Sequence, residues 1–156
     1  MQRILALATA ALLGVGSASA VDDESAIAVD KLPKSVVASL KKRFPKGELK
    51  TASKSVDKDK TTYEVTVKEG SLKADVDVDA SGVITGIEKQ LAEADMPKAI
   101  ARAWKQKYPK GTFKTCEEVI SVKGGKEALN YYEVVVETPD KKSVELEIGK
   151  DGKIRQ

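Results

Sequence analysis

The chain has 156 residues, with 27 Lys and Arg against 24 Asp and Glu, and a formal net charge of +3. This near balance gives no support for binding nucleic acid or a membrane surface through charge alone. The absence of histidine excludes Ser-His-Asp and Cys-His catalysis in their usual forms, and also His-ligated zinc. The single cysteine, Cys116, excludes an internal disulfide framework, and its strand-like surroundings favour a half-buried packing role over a reactive thiol.

The first twenty residues have the pattern of a secretory signal peptide. Arg3 supplies the positive charge, residues 4–15 are mostly apolar, and Ala18-Ser19-Ala20 fits the small-x-small cleavage rule. The apolar stretch is short and interrupted by glycine, so it predicts no membrane insertion after cleavage. We therefore expect a soluble exported protein, periplasmic or secreted. The acidic residues 21–30 are predicted to form a flexible leader.

The rest of the chain repeats one pattern, as repeat 1 over residues 31–92 and repeat 2 over residues 93–156. Each repeat opens with a predicted helix whose apolar residues recur every four positions, at 32, 36, 40 and 44 and at 96, 100, 104 and 108. Pro33 suits the first turn of the first helix, and Asp95 is placed as the N-cap of the second. Each helix ends in Pro-Lys-Gly, which predicts a stop.

After each helix the apolar period changes from four to two, which predicts strands. In repeat 1 these cover residues 48–56, the segment around Tyr63, residues 72–78 and residues 83–91. In repeat 2 they cover residues 112–122, 130–138 and 143–148, with a short last strand at the C-terminus. The predicted fold class is α+β, with one helix packed on a three- to four-stranded antiparallel sheet in each repeat. A unit of about 60 residues is marginal alone, so the repeats are expected to share a core, and a single continuous sheet stays an open question.

The order of these pieces resembles the PepSY-like family, also described as β-lactamase-inhibitor-protein-like. The resemblance rests on Leu-Pro…Phe-Pro-Lys-Gly from Leu32 and Met-Pro…Tyr-Pro-Lys-Gly from Met96. It also rests on the two Tyr-Glu-Val strands and on the turns at Asp79 and Asp151. It covers nearly all of residues 32–156, once per repeat. It implies a small exported bacterial protein that binds another protein outside the cytoplasm, with inhibition of that protein as one implied role. It carries over no catalytic residue.

The strand alternation further predicts a sheet with one face toward the helices and one toward solvent. The solvent face is mostly acidic, whereas the exposed side of the helices is basic, at Lys34, Lys41, Lys42, Arg43, Lys98, Arg102, Lys105 and Lys107. We predict that the acidic face binds a cationic protein or peptide partner. Ordinary solvation of a one-sided sheet is the alternative. The predicted partner-binding residues are Glu64, Asp75, Asp77, Tyr131, Glu133, Val135, Glu145 and Glu147.

One segment also fits the spacing of a calcium-binding EF-hand loop. Asp77, Asp79 and Ser81 take its first three ligand positions, with Gly82 at position six and Glu88 at position twelve. The preceding residues alternate like a strand, where an EF-hand needs a helix, so a strand–turn–strand is preferred.

The alternative function is therefore a small-ligand or calcium-responsive envelope sensor. An enzyme using Cys116, or a carboxylate pair such as Asp75 and Asp77, is the third possibility. No cofactor, metal ligand or catalytic residue is assigned, and the oligomeric state stays open.

Overall fold

The computed structural model describes residues 25–155, so the predicted signal peptide lies outside the described residues. Residues 25–155 form two α-helices and eight strands, which confirms the predicted α+β class. In chain order these are β1 (Ser25–Ile27), α1 (Lys34–Arg43), β2 (Glu48–Asp57), β3 (Lys60–Glu69), β4 (Leu72–Asp79), β5 (Ile84–Leu91), α2 (Lys98–Lys107), β6 (Thr112–Lys123), β7 (Lys126–Glu137) and β8 (Ser143–Ile148).

All eight strands belong to one antiparallel sheet, in which each strand pairs with its neighbours along the chain. The two halves of the chain meet where Gly86–Leu91 of β5 pairs with residues 116–121 of β6. The sheets predicted for the two repeats are therefore parts of one continuous sheet. This pairing leaves no unpaired strand edge between the halves.

Both helices lie on the same face of this sheet. Ile87 of β5 packs in the cluster around α1, and Leu91, four residues further along the strand, packs in the cluster around α2. Residues separated by an even number along a strand point to the same side, so the two clusters share one face. We call the opposite face, which carries neither helix, the open face.

The core consists of two hydrophobic clusters beneath the helices. Val36 and Leu40 of α1 are fully buried against valines of β3 and β4. Ile100 and Trp104 of α2 are buried against the second half of the sheet. The sheet residues of this second cluster include Cys116, Tyr132, Val134, Val136, Leu146 and Ile148. The apolar residues that recur every four positions in the helices therefore pack against those that recur every two positions in the strands.

The glycine that ends each helix motif is required by close packing. A Cβ at Gly47 would lie 2.7 Å from Cγ1 of Val67, and one at Gly111 would lie 2.4 Å from Cγ1 of Val136. Gly82 has φ +92°, and a Cβ there would lie 2.7 Å from the carbonyl oxygen of Ser35 at the start of α1. The repeated glycines therefore let the chain pass close to a strand after the helix and close to the first turn of the helix.

Two local predictions are corrected by the structure. Residues 25–30 are predicted to belong to the flexible leader, but they lie in β1 and in a 3-10 turn over Val29–Lys31. They are ordered because β1 pairs with β2 and Ile27 packs against the first cluster. Asp95 is not an N-cap: α2 begins at Lys98 after Pro97, and no side chain caps it. Met96 precedes proline and is extended, which keeps the helix from starting earlier.

Candidate functional site

The open face carries all eight predicted partner-binding residues. Val65, Val76 and Val134 are buried beneath the helices, so the residues next to them in the strands point to the other side. The pairing then brings the open-face residues into rows across neighbouring strands. Glu64 lies opposite Asp77, and Asp75 lies opposite Glu88.

The densest group of carboxyl groups lies where β6, β7 and β8 run side by side. Glu133 of β7 pairs with Glu117 of β6 on one side and with Glu147 of β8 on the other. Glu145 pairs with Val135, two residues along β7 from Glu133, and is its diagonal neighbour. Directly opposite side chains on antiparallel strands start about 5 Å apart, so these carboxyl groups interact.

The prediction that Glu133 and Val135 are exposed to solvent is wrong. Both point to the open face, but Glu133 is only 8% exposed and Val135 only 5%. Each lies on an inner strand, so side chains from the strands on both sides cover it. Glu145 remains exposed, and Glu147 and Tyr131 are half-buried. The open face is therefore a partly dehydrated acidic surface.

Burial and repulsion change the acidity of this group. The pKa of Glu133 is raised to about 8, mainly by burial, and the charges of Glu145, Glu88 and Glu117 contribute in the same direction. The protonated carboxyl of Glu133 also forms a hydrogen bond with Glu145. Burial is the main cause of a raised pKa at Glu117 too, with Asp75 adding to it and Lys73 opposing it. Glu133 therefore holds a proton at neutral pH, when an ordinary glutamate has lost it.

We call Glu117, Glu133 and Glu145 the carboxyl cluster. Sequence reasoning placed Glu133 and Glu145 on the open face but missed Glu117. The alternation that predicts an inward Cys116 also predicts an outward Glu117, so the signal was present. Its pairing with Glu133 could not be read, because β6 and β7 shift register between Val119 and Ile120.

The predicted strand–turn–strand over residues 77–88 is confirmed. Asp79 ends β4, and its carboxylate accepts hydrogen bonds from the backbone N–H groups of Ser81 and Val83, both at 2.9 Å. The hydrogen bond from the Ser81 side chain is the main cause that lowers the pKa of Asp79. Asp79 thus stabilises the turn. Across residues 25–155, no group of three or more His, Cys, Asp or Glu side chains is arranged to hold a metal ion.

Cys116 points away from the open face, into the cluster beneath α2, and is fully buried rather than half-buried. Burial raises the pKa of its thiol to about 12, and the charges of Glu117, Glu118 and Glu133 act in the same direction. Because the thiolate is the reactive form, this cysteine is not an activated nucleophile.

We expect the Cys116 thiol to be unreactive in the folded protein. Incubation of the native chain with iodoacetamide at pH 8 should leave its mass unchanged, whereas the same treatment in 6 M guanidinium chloride should add one carbamidomethyl group. Rapid labelling without denaturant would contradict the burial of this side chain.

The helix layer is basic, as the sequence predicted. All eight predicted Lys and Arg residues of the two helices are exposed. Arg43 forms an ion pair with Glu127 at 2.8 Å, and Lys105 one with Glu93 at 3.6 Å. The described part of the chain therefore places acidic and basic groups on opposite sides of the sheet.

Comparison with protein families identifies the class of this protein. The family model described as beta-lactamase-inhibitor-like and PepSY-like matches the chain twice, over residues 19–86 and residues 73–156. The two matches together span most of the chain. The protein therefore belongs to the PepSY-like family and contains that unit in tandem.

Solved structures with the same fold come from Bacteroides. A BLIP-like protein of Bacteroides fragilis has 17% identity and a TM-score of 0.59, over 80% of this chain and 83% of its own. A DUF2874 family protein of Bacteroides uniformis has 18% identity and a TM-score of 0.64, over 80% of this chain and 86% of its own. A protein of Bacteroides eggerthii, described as "putative periplasmic", has 16% identity and a TM-score of 0.64, over 80% of this chain and 86% of its own. These similarities establish the fold.

Comparison with curated proteins gives no match. Within residues 25–155, neither helix has the length and apolar character needed to cross a membrane.

Proposed function

We propose that this protein is an exported, non-enzymatic module that binds a protein or peptide partner through the open face. Periplasmic location is part of this proposal. It is supported by the signal-like N-terminus and by the description of the Bacteroides eggerthii protein. Inhibition of an extracytoplasmic enzyme is the role that the family description suggests for such binding.

The observation that carries the proposal is the composition of the open face. It joins buried apolar side chains, Val119 and Val135, to half-buried Tyr131 and a surrounding set of carboxylates. Protein interfaces combine an apolar, aromatic-containing centre with a polar rim in this way. A sheet face that only needed solvation would not bury glutamate, because burying a carboxylate without a partner is costly. The acidic rim favours a basic partner, since complementary charge increases the rate and specificity of association.

A non-catalytic role agrees with the chemistry of the described residues. Cys116 is buried on the opposite face with a raised pKa. The carboxyl cluster has a raised pKa at Glu133, and the chain has no histidine that could act as a base beside it. No observation among the described residues favours the calcium-responsive alternative, because Asp79 is engaged in its own turn.

The test is affinity capture from the native extracytoplasmic fraction, with the chain from Val21 to Gln156 as bait. The variant bait carries Glu145→Lys and Glu147→Lys, at the accessible edge of the open face. Glu133 is left unchanged, because a lysine in its buried position would disturb the fold. We expect a protein retained by the natural bait to be lost, or weakened at least tenfold, with the variant.

The matched control carries Asp59→Lys and Glu93→Lys, which make the same change in net charge at exposed turns away from the open face. Retention by this control together with loss by the first variant would support binding through the open face. Equal retention by all three baits would overturn the assignment of the site.

A further inference from the structure

The carboxyl cluster has an arrangement that is costly unless a cation joins it. Three glutamates from adjacent strands point to the same face, and two of them are about nine-tenths buried. Glu117 is 9% exposed, and its neighbours on the two adjacent strands are Gln90 and Glu133. Burying carboxyl groups beside one another costs free energy, because the charge of each disfavours ionisation of the other.

The charged groups around Glu133 lie on four other strands. Glu117 of β6 and Glu145 and Glu147 of β8 lie next to it, and Glu88 of β5 acts on it through its charge. Asp75 and Lys73 of β4 act on Glu117. Five of these six groups are acidic. At Glu117, burial and the charge of Asp75 each raise the pKa more than the charge of Lys73 lowers it. The field at Glu133 is therefore strongly negative, and a proton is the cation that currently relieves it.

We propose that the carboxyl cluster receives one lysine or arginine side chain of the partner, and that this cation replaces the proton on Glu133. This inference rests on the proposed function and deepens it. On binding, the O–H bond of Glu133 breaks, its proton passes to solvent, and the carboxylate that remains pairs with the incoming ammonium or guanidinium group. The cluster carries the same net charge in both states, because the basic side chain takes the place of the proton.

The choice of a basic side chain follows from the geometry. Glu145 is exposed and can meet an approaching cation, whereas Glu117 and Glu133 lie deeper, where hydrogen bonds to charged groups are stronger. A long side chain with a terminal cation can reach past the exposed carboxylate to the buried ones. The absence of a metal-binding arrangement among residues 25–155 makes a metal ion a poor fit for the same place.

The test uses N-acetyl-pentalysine amide as the probe and isothermal titration calorimetry as the method. Titrations at pH 6, 7 and 8 in phosphate and in Tris give the number of protons released, because the two buffers differ in ionisation enthalpy. Lysine side chains stay charged throughout this range, so only the protein contributes. We expect release of about one proton per peptide at pH 7 and an affinity that rises close to tenfold between pH 6 and 7.

Glu133→Gln provides the decisive comparison, because glutamine has the shape of the protonated acid and no proton to lose. This variant should release no proton and bind with an affinity that is independent of pH. Asp57→Asn, in the exposed β2–β3 hairpin, replaces a carboxyl group by an amide outside the carboxyl cluster and should behave like the natural protein.

Several outcomes would overturn the inference. Binding without proton release would show that the open face attracts cations without using Glu133, and the proposed function would survive. Unchanged proton release in Glu133→Gln would assign the proton to another group. Failure of the peptide to bind would also overturn it, while the capture experiment with the two lysine baits decides separately whether the open face binds a partner.

Discussion

Glu133→Gln is expected to make the protein more stable above neutral pH. Burial and neighbouring carboxylates raise the pKa of Glu133 to about 8 in the folded chain, against an ordinary value near 4.5. Between these values the folded state keeps a proton that the unfolded state has lost. The free energy of unfolding therefore falls as pH rises, by at most about 1.4 kcal/mol for each pH unit. The contribution is fully present below about pH 4.5 and is lost by the time pH passes 8.

The free energy of unfolding of Glu133→Gln should not fall in this way as pH rises, because glutamine is neutral in both the folded and the unfolded state. Urea unfolding followed by circular dichroism at pH 5, 6, 7, 8 and 9 should give curves that lie close together at pH 5. They should separate by a few kcal/mol at pH 9, with the variant more stable. Curves that stay parallel across this range would show that Glu133 ionises normally in the folded protein.

Glu137→Gln is the matched control, because it removes a carboxylate whose pKa is lowered in the folded chain, whereas the pKa of Glu133 is raised. Hydrogen bonds from Lys141 and Lys114, both with nitrogen–oxygen distances of 3.1 Å, lower the pKa of Glu137. Its stabilising contribution is thus present at neutral pH and lost as pH falls through its lowered pKa. Because these ion pairs are at the surface, removing them should lower the stability only slightly at neutral pH.

The contrast between Glu133 and Glu137 shows what sequence alone could and could not predict here. The alternation of apolar residues in β7 places both on the same side of the strand, and the structure agrees. Their neighbours decide the rest: Glu133 lies between Glu117 and Glu147, whereas Glu137 lies beside lysines. Those neighbours depend on register, and register in β6–β7 includes two shifts that leave no mark in the residue pattern.

The predicted fold was more secure than the predicted site for a related reason. Helices with apolar residues at every fourth position and strands with apolar residues at every second depend on local sequence. The continuity of the sheet depends on how Leu91 pairs with Cys116 although the twenty residues 92–111, which include α2, lie between β5 and β6. Asp95 illustrates the limit at helix ends, where a favourable capping residue was overruled by the restriction that Pro97 places on Met96.

Trp104→Ala is expected to be among the most destabilising substitutions in the chain. Trp104 is 4% exposed and packs in the second cluster, with its ring centroid 6.2 Å from that of Phe113. Truncating a buried aromatic side chain to alanine typically costs about 3–5 kcal/mol, a large share of the 5–15 kcal/mol that stabilises a typical domain. Circular dichroism during urea unfolding should show this loss, whereas Gln106→Ala, on the exposed side of α2, should change stability by less than about 0.5 kcal/mol.

Leu40, the position in the first half that corresponds to Trp104, allows a test of whether the two halves of the sheet unfold together. Leu40 is fully buried under α1, and Leu40→Ala should cost about 2–5 kcal/mol. Trp104 is the only tryptophan, so its fluorescence reports on the second half while circular dichroism reports on the whole sheet. Because β5 and β6 join the halves through six residue pairs, we expect both signals of Leu40→Ala to change at the same lowered urea concentration. A fluorescence transition that stays at the natural midpoint while circular dichroism shifts would mean that the halves unfold independently, and that the continuous sheet does not couple them.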